Sequence, residues 1–499
     1  MRSLYNFLKL IYLIILFGNF GILNSLVKST FLPPKVLRII KILNYFCGRN
    51  VPDIKLGNSL AKIFTRLGPA YVKLGQALAT RPDLLGSQLT SELSFLHDNM
   101  PPFKINDVDK TIFNETGKYS KDLFLNFNAI PIAAASISQV HQATSHENKL
   151  VAVKILRPNI EIAISKDLEF FEWVVKFFQN FDKSLYRFKL LEIIDIFKKI
   201  TSDEMDLRLE AASASELAEN FKNDERFVIP EINWSLTTKR MLVLDWIDGV
   251  KIDDKDKLIK ENYDIQKITS AASEAFFCQV FRDGFFHGDM HPGNFFINSS
   301  GQLIPIDFGI MGRLNISDRL FLARLLKAIL DRDFLLVAKL HKEKGMLPDN
   351  QSINAFALAV RSISTPILDK KLGQISLGSL LGQLFSLAHR WELDIQPQFL
   401  LLQKTMVMAE GIGRQLNPDA DMWEIARPMV TSWLTSNALT NNKFTEIVED
   451  LKIISNKLPK IIDKLDNNKE PVINVSLFQK NSFLLITAII SFVIGSILF

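Results

Sequence analysis

Residues 285–309 constrain this chain more tightly than any other stretch. Two short apolar runs, Phe295-Phe-Ile-Asn298 and Gln302-Leu-Ile-Pro-Ile306, are joined by Ser299-Ser-Gly301 and read as a β-hairpin. Before the hairpin comes His287-Gly-Asp-Met-His-Pro-Gly-Asn294, and after it Asp307-Phe-Gly309. Phosphoryl transfer needs a carboxylate near the attacking hydroxyl and oxygen ligands for Mg²⁺, and Asp289, Asn294 and Asp307 have the spacing that supplies them. Asp307 closes an apolar strand that can aim its carboxylate, and Gly309 lets the backbone turn away. The bland alternative is an Asp and an Asn that only cap turns. His287 and His291 are four apart, but Pro292 and Gly293 oppose a helix there and no third ligand is evident, so they read as braces of the loop rather than as zinc ligands.

Upstream, Ser136 to Thr144 and Leu150 to Leu156 read as a second hairpin around His146-Glu-Asn-Lys149. Lys154 sits in it where a strand lysine would reach α- and β-phosphates, and such a lysine needs a helix glutamate to hold it. Glu210 is the candidate. It lies one helical turn beyond Asp206 in Glu204-Met-Asp-Leu-Arg-Leu-Glu210. Two carboxylates so placed repel unless a cation or metal opposes them, or unless both merely face solvent. Where a glycine-rich loop would cover phosphates, this chain has Ile132-Ala133-Ala134-Ala135-Ser136-Ile137-Ser138-Gln139-Val140. Alanine does not adopt φ > 0 cheaply, so this loop is expected to be stiffer. Lys73-Leu-Gly-Gln76 would put Lys73 and Gln76 on one helix face.

Around these motifs the chain reads as short helices from Asn58 to Leu89, strands, a helical stretch from Asn159 to Phe221, and strand candidates at Phe227–Ile232 and Arg240–Ile247. A helix over 266–282, the second hairpin and a helical lobe from Ile316 to about Leu439 follow. That order predicts an α+β, two-lobed, protein-kinase-like fold. The predicted parts are an apolar segment 1–50, a helical extension 51–125, a kinase-like domain 126–440 dividing near 250, a connector 441–480 and a spanning tail 481–499.

Fifty-nine Lys and Arg against 54 Asp and Glu give a net charge of +5, read as spread along the chain with no basic block, which argues against a nucleic-acid partner and suits an anionic membrane surface. Cys47 and Cys278 stand far apart, which excludes a disulfide framework or a thiolate zinc site and points to a reducing compartment. Asn481 to Phe499 carries no charge over 19 residues, enough at 1.5 Å per residue to cross a hydrocarbon core of about 30 Å. Lys464, Lys469 and Lys480 before it place the body in the cytoplasm by the positive-inside rule. Leu10 to Val27 is also uncharged but is interrupted by Gly18, Asn19, Gly21 and Asn24, which leaves either a spanning helix or one lying in the interface or against the protein.

Taken together, these motifs resemble the UbiB family of atypical, aarF-domain kinase-like proteins that support ubiquinone biosynthesis. Lys73 to Gln76 resembles its Lys-x-Gly-Gln signature, Ala133 to Ser136 its Ala-rich nucleotide loop, Glu204-Met-Asp206 its Glu-x-Asp motif, and His287 to Asn294 with Asp307 to Gly309 its catalytic and metal loops. The resemblance implies ATP bound through the Ala-rich loop and Lys154, Mg²⁺ through Asn294 and Asp307, and Asp289 as proton acceptor. It further implies Glu204 and Asp206 acting on Lys-x-Gly-Gln helices that lie over the active site and hinder a protein substrate. The expected partners are membrane lipids, quinone precursors and other ubiquinone-biosynthesis proteins, with a homodimer left open, at a bacterial inner membrane. The leading expectation is a membrane-anchored ATP-dependent enzyme of the kinase/ATPase type; a true protein kinase and a non-hydrolysing nucleotide-binding scaffold are the alternatives.

Overall fold

The computed structural model describes residues 2–27, 34–49, 56–79, 92–93, 100–181, 190–368, 377–418 and 428–433. They fall into two compact units. The first takes the described residues up to Lys251 together with Asn294–Ile310, and the second takes Ile252–Gly293 and the described residues from Met311 on.

The first unit opens with α1 (Arg2–Asn19), α2 (Ile22–Val27), α3 (Pro34–Cys47), α4 (Leu56–Leu67) and α5 (Pro69–Ala79). The uncharged run after Lys9 is therefore two helices broken at Phe20-Gly21, where Gly21 takes φ 70°. Among the described residues no helix is long and apolar enough to cross a membrane; α1 buries Leu10, Leu13, Leu16 and Phe17 against the protein. Residues 441–480 and 481–499 lie outside the described residues, and so do residues 80–89 of the short helices expected from Asn58 to Leu89. Helices α6 (Ile105–Thr116) and α7 (Ser120–Leu123) precede the strands β1 (Asn126–Phe127), β2 (Ala133–Ala134), β3 (Ser138–Thr144) and β4 (Leu150–Leu156). Helices α8 (Ile160–Phe181), α9 (Leu190–Glu204) and α10 (Leu207–Asn220) follow, then β5 (Met241–Asp245) and β6 (Val250–Lys251).

β3 and β4 form the first predicted hairpin, with Ser138 opposite Leu156 and Thr144 opposite Leu150. Its turn works because Asn148, a residue tolerant of the left-handed region, takes φ 60° while Ser145 N–H donates to Lys149 O. β5 adds antiparallel to β4, and β1 and β2 both pair with β3. Strand alternation then sorts the side chains: Val151, Val153 and Ile155 enter a core with Val108 and Ile112 of α6 and Met241 and Val243 of β5, which leaves Lys154 for the opposite face. The strand expected over Phe227–Ile232 is absent as a strand; only Phe227 and Ile232 make isolated bridges, to Leu303 and Leu244. Pro230 between them has no N–H to give a ladder, which accounts for the interruption.

The second unit begins with α11 (Lys255–Lys260), α12 (Ile265–Phe277), a π turn over Cys278–Asp283 and β7 (Phe285–His287). The second predicted hairpin, β8 (Phe295–Ile297) and β9 (Leu303–Pro305), belongs to the first unit, where β6 pairs with β8. Back in the second unit, β10 (Met311–Arg313) pairs with β7, and α13 (Ile316–Leu330), α14 (Phe334–Glu343), α15 (Ile353–Leu368), α16 (Leu377–Trp391) and α17 (Pro397–Leu416) complete it. In α17 the buried residues Phe399, Leu402, Met406, Ala409, Gly413 and Leu416 recur every three or four positions, as a core-facing helix requires. The two- and three-residue strands β1, β2, β6, β7 and β10 are too short to carry a readable alternation.

Candidate functional site

Each unit carries part of the predicted set. In the first, the alternation of β4 delivers Lys154 to Glu210 of α10. Its ammonium donates to both carboxylate oxygens, at 2.7 and 2.9 Å, and lies 3.7 Å from Asp307 Oδ1. Glu210 is 8% exposed and stands in the first turn of α10, where the helix dipole favours a negative group. Burial raises its carboxyl pKa, the Lys154 ammonium pulls it back down, and Asp307 pushes it up. Asp307 is half-exposed, and its Oδ1 accepts from Gly309 N–H at 3.0 Å, so the turn after the strand fixes the carboxylate. The register of β8 and β9 puts Phe295 opposite Pro305, and Ile306 N–H donates to Asn294 O at 3.0 Å. Asn294 and Asp307 thus share the open end of one hairpin. Two oxygen-bearing side chains there suit Mg²⁺, which takes one or two protein ligands and completes its shell with water and phosphate oxygens. Among the described residues no group of three or more His, Cys, Asp or Glu could hold a metal by itself.

The Ala-rich segment is not an open loop. Ala133 and Ala134 are strand residues opposite Val140 and Gln139, Ile132 N–H donates to Val140 O, and Ala135 N–H donates to Ser138 O. The Arg157 guanidinium donates to Ala135 O at 2.8 and 3.2 Å and pins the turn. None of residues 132–140 takes a positive φ, as alanine's sterics dictate. Ser136, Ser138 and Gln139 are buried under it, with Ile137.

Lys73, on α5, pairs with Glu204 at the end of α9, 3.0 Å apart and both about one-seventh exposed. Gln76 lies one turn further along α5, partly buried. Asp206 does something else: it caps α10, accepting from Arg208 N–H and, at 2.8 and 2.6 Å, from the Arg208 guanidinium, which lowers its pKa. The structure therefore separates the two carboxylates read as a pair, Glu210 holding Lys154 and Asp206 holding Arg208.

The second unit holds the loop before the hairpin. His287, 1% exposed, receives Asp289 N–H on Nδ1, and its own N–H donates to Gln279 Oε1. His291 Nδ1 receives Gly293 N–H, and His291 N–H donates to Asp289 O. Both imidazoles thus spend Nδ1 on the backbone. Two residues that sequence reasoning missed close on this loop from α17: Lys404 Nζ donates to Asp289 Oδ1 at 3.0 Å, and buried Thr405 donates to Gly288 O at 3.1 Å. More than a hundred positions separate them from the loop, and Gln403-Lys-Thr405 carries no motif, so only the fold brings them there.

Residues 95–341 match the family model of the ABC1 atypical kinase-like domain, and residues 360–421 match that of the UbiB helical domain. The chain is 39% identical over 414 residues to a protein of Marinobacter nauticus named "Probable protein kinase UbiB", covering 81% of this chain and 76% of that one. It is 37% identical over 424 residues to the protein of the same name in Pseudomonas putida GB-1, covering 84% and 78%. Among solved structures it resembles "The complex structure of Rv3197-erythromycin from Mycobacterium tuberculosis", with TM-score 0.50, 23% identity, and 73% of this chain and 94% of that one covered. That likeness bears on the fold alone.

Proposed function

The chain belongs to the UbiB family of ABC1 atypical kinase-like proteins, and on that premise we propose that it binds Mg²⁺-ATP and uses its hydrolysis at the bacterial inner membrane to support ubiquinone biosynthesis. The observation that carries this reading is Lys154, held by Glu210 and close to Asp307 in the same unit as Asn294. A buried carboxylate that fixes an ammonium beside a half-exposed carboxylate is an arrangement prepared for phosphate oxygens and a cation, since the ammonium is held in place and the outer carboxylate is left accessible. Lys154 would neutralise α- and β-phosphate charge, while Asn294 and Asp307 would hold Mg²⁺. Held by those two side chains, the ion would supply positive charge against the phosphate oxygens. Asp289, paired with Lys404, would accept a proton from water or from a substrate hydroxyl.

Anchorage through residues 481–499, a cytoplasmic body, membrane lipid or quinone precursors as what is acted on, and contact with other ubiquinone-biosynthesis proteins complete the proposal. The Lys73–Glu204 pair favours an ATPase over a protein kinase, because it ties the Lys-x-Gly-Gln helix down on its own unit.

The test is Mg²⁺-dependent nucleotide binding and hydrolysis in the full-length protein with Asp307→Asn and Asp289→Asn. Asp307→Asn removes a negative ligand and is expected to weaken Mg²⁺-ATP binding about tenfold or more, the scale of one charged hydrogen-bonding partner. Asp289→Asn is expected to keep binding and lose hydrolysis. Mg²⁺-ATP affinity unchanged in Asp307→Asn would overturn the metal assignment. A partner phosphorylated stoichiometrically, dependent on Asp289, would replace the ATPase by a protein kinase.

A further inference from the structure

Helix α1 is apolar on its outer side as well as its inner one. Lys9, the one charged residue between Arg2 and Lys28, points into the protein: its ammonium pairs with Asp167 of α8 at 2.5 Å and lies 4.5 Å above the Phe170 ring centroid. Leu10, Leu13, Leu16 and Phe17 are buried on that side. The side turned away carries Leu4, Tyr5, Leu8, Ile11, Tyr12 and Ile15, exposed by 36–67% and recurring at helical spacing without a charge among them. Singly exposed apolar residues are ordinary, but a continuous strip of six large ones is a surface that something covers. On α3 the exposed residues include Ile42, Tyr45 and Phe46, the last two by 84 and 76%, and the basic residues Arg38 and Lys41, with Arg49 exposed just beyond.

Charge says what covers it. The first 52 residues hold seven of the 59 basic residues of the chain and none of its 54 acidic ones. Two copies meeting through this region would set like charges against each other, and the uncharged segment 481–499 has no need of basic residues around it. An anionic lipid surface meets both features, since aromatic and aliphatic side chains enter the headgroup boundary while Lys and Arg face its negative potential. We propose that α1 and α3 dock on an anionic phospholipid bilayer, lying in the interface without crossing it. This is a contact additional to any anchorage through residues 481–499, and it stands or falls apart from the nucleotide chemistry. Below the docked helix, the Lys9 ammonium is 5.7 Å from the ring centroid of Tyr71, two residues before Lys73, so the contact borders the helix that holds the Lys73–Glu204 pair.

The test is site-specific photo-crosslinking in the full-length protein reconstituted in vesicles. A benzophenone amino acid replaces Leu8 or Ile11 on the outward face, and Lys110, 75% exposed on α6, as control. Vesicles are phosphatidylcholine with or without one-third phosphatidylglycerol. We expect lipid adducts at positions 8 and 11 several-fold above those at 110, rising with the anionic lipid and falling severalfold in Arg38→Glu/Lys41→Glu or on raising salt. Adducts to residues 481–499, adducts at doubled mass from a second copy, or lipid yields no higher than at 110 would each overturn the proposal. Yields indifferent to phosphatidylglycerol would overturn its electrostatic part. Circular dichroism of the charge-reversed variant, expected to match the parent, separates loss of docking from loss of fold.

Discussion

At the scale of single residues, the pairings that matter join positions far apart in sequence. Lys154 and Glu210 could be matched in the sequence because a strand lysine of this kind needs a helix carboxylate, and chemistry named the partner. Lys404 could not, since nothing in Gln403-Lys-Thr405 marks it. Its pairing with Asp289 at 3.0 Å leads to a definite expectation. A charge-assisted hydrogen bond contributes about 1.5–3 kcal/mol, so Lys404→Met is expected to lower kcat for ATP hydrolysis by about 10- to 100-fold with little change in KM for ATP. Lys404→Arg, which keeps the charge, is expected to recover much of the loss. Steady-state kinetics decide it: a wild-type kcat in Lys404→Met would remove Lys404 from the reaction. The same scale explains the misreading of Asp206, because Arg208, two residues away, captures that carboxylate while Glu210 turns to the sheet.

At the scale of elements, one glycine shows how local geometry sets the start of the strand that leads into the His287–Asn294 loop. The π turn over Cys278–Asp283 ends at Gly284, which takes φ 66° and whose N–H donates to Gln279 O. A Cβ there would lie 2.4 Å from Leu314 O, the atom's neighbour across the β7–β10 pair. Gly284→Ala therefore faces both left-handed strain and a backbone clash, and is expected to destabilise by about 2 kcal/mol or more. A denaturant midpoint that moves by less than about 0.5 kcal/mol would show that this loop end is soft. The hairpins were legible because period-two alternation and Ser-Ser-Gly or Asn-Lys turns are local signals. The strands β7 and β10 were not, because no local turn joins them and their pairing is a long-range matter.

At the scale of the molecule, burial of neutral histidines ties stability to pH. His341, inside α14 with Nδ1 facing Val337 O, and His141, beside Gln139 and Asn128, both have their pKa lowered, chiefly by burial. The unfolded chain takes up a proton near pH 6.5 and the folded one resists, so their contribution is present above about pH 6.5 and is lost as the pH falls below it. Glu210 and Asp167, raised by burial, act with the opposite sign over the carboxylate range. Thermal melting of the full-length protein at pH 7.5 and 5.5 is expected to show a drop that His341→Gln makes smaller; an equal drop in the variant would place the effect elsewhere. By itself the sequence determined the family, the two hairpins, and the identity of the residues around Lys154 and Asp307, because each rests on local periodicity or on fixed spacing along the chain. Only the tertiary structure decided that Lys404 reaches Asp289, that Glu204 rather than Asp206 meets Lys73, and that Lys9 turns inward while a second, uncharged apolar side of α1 faces out. Such contacts depend on which helix packs against which, and that choice is made by the burial of the whole chain.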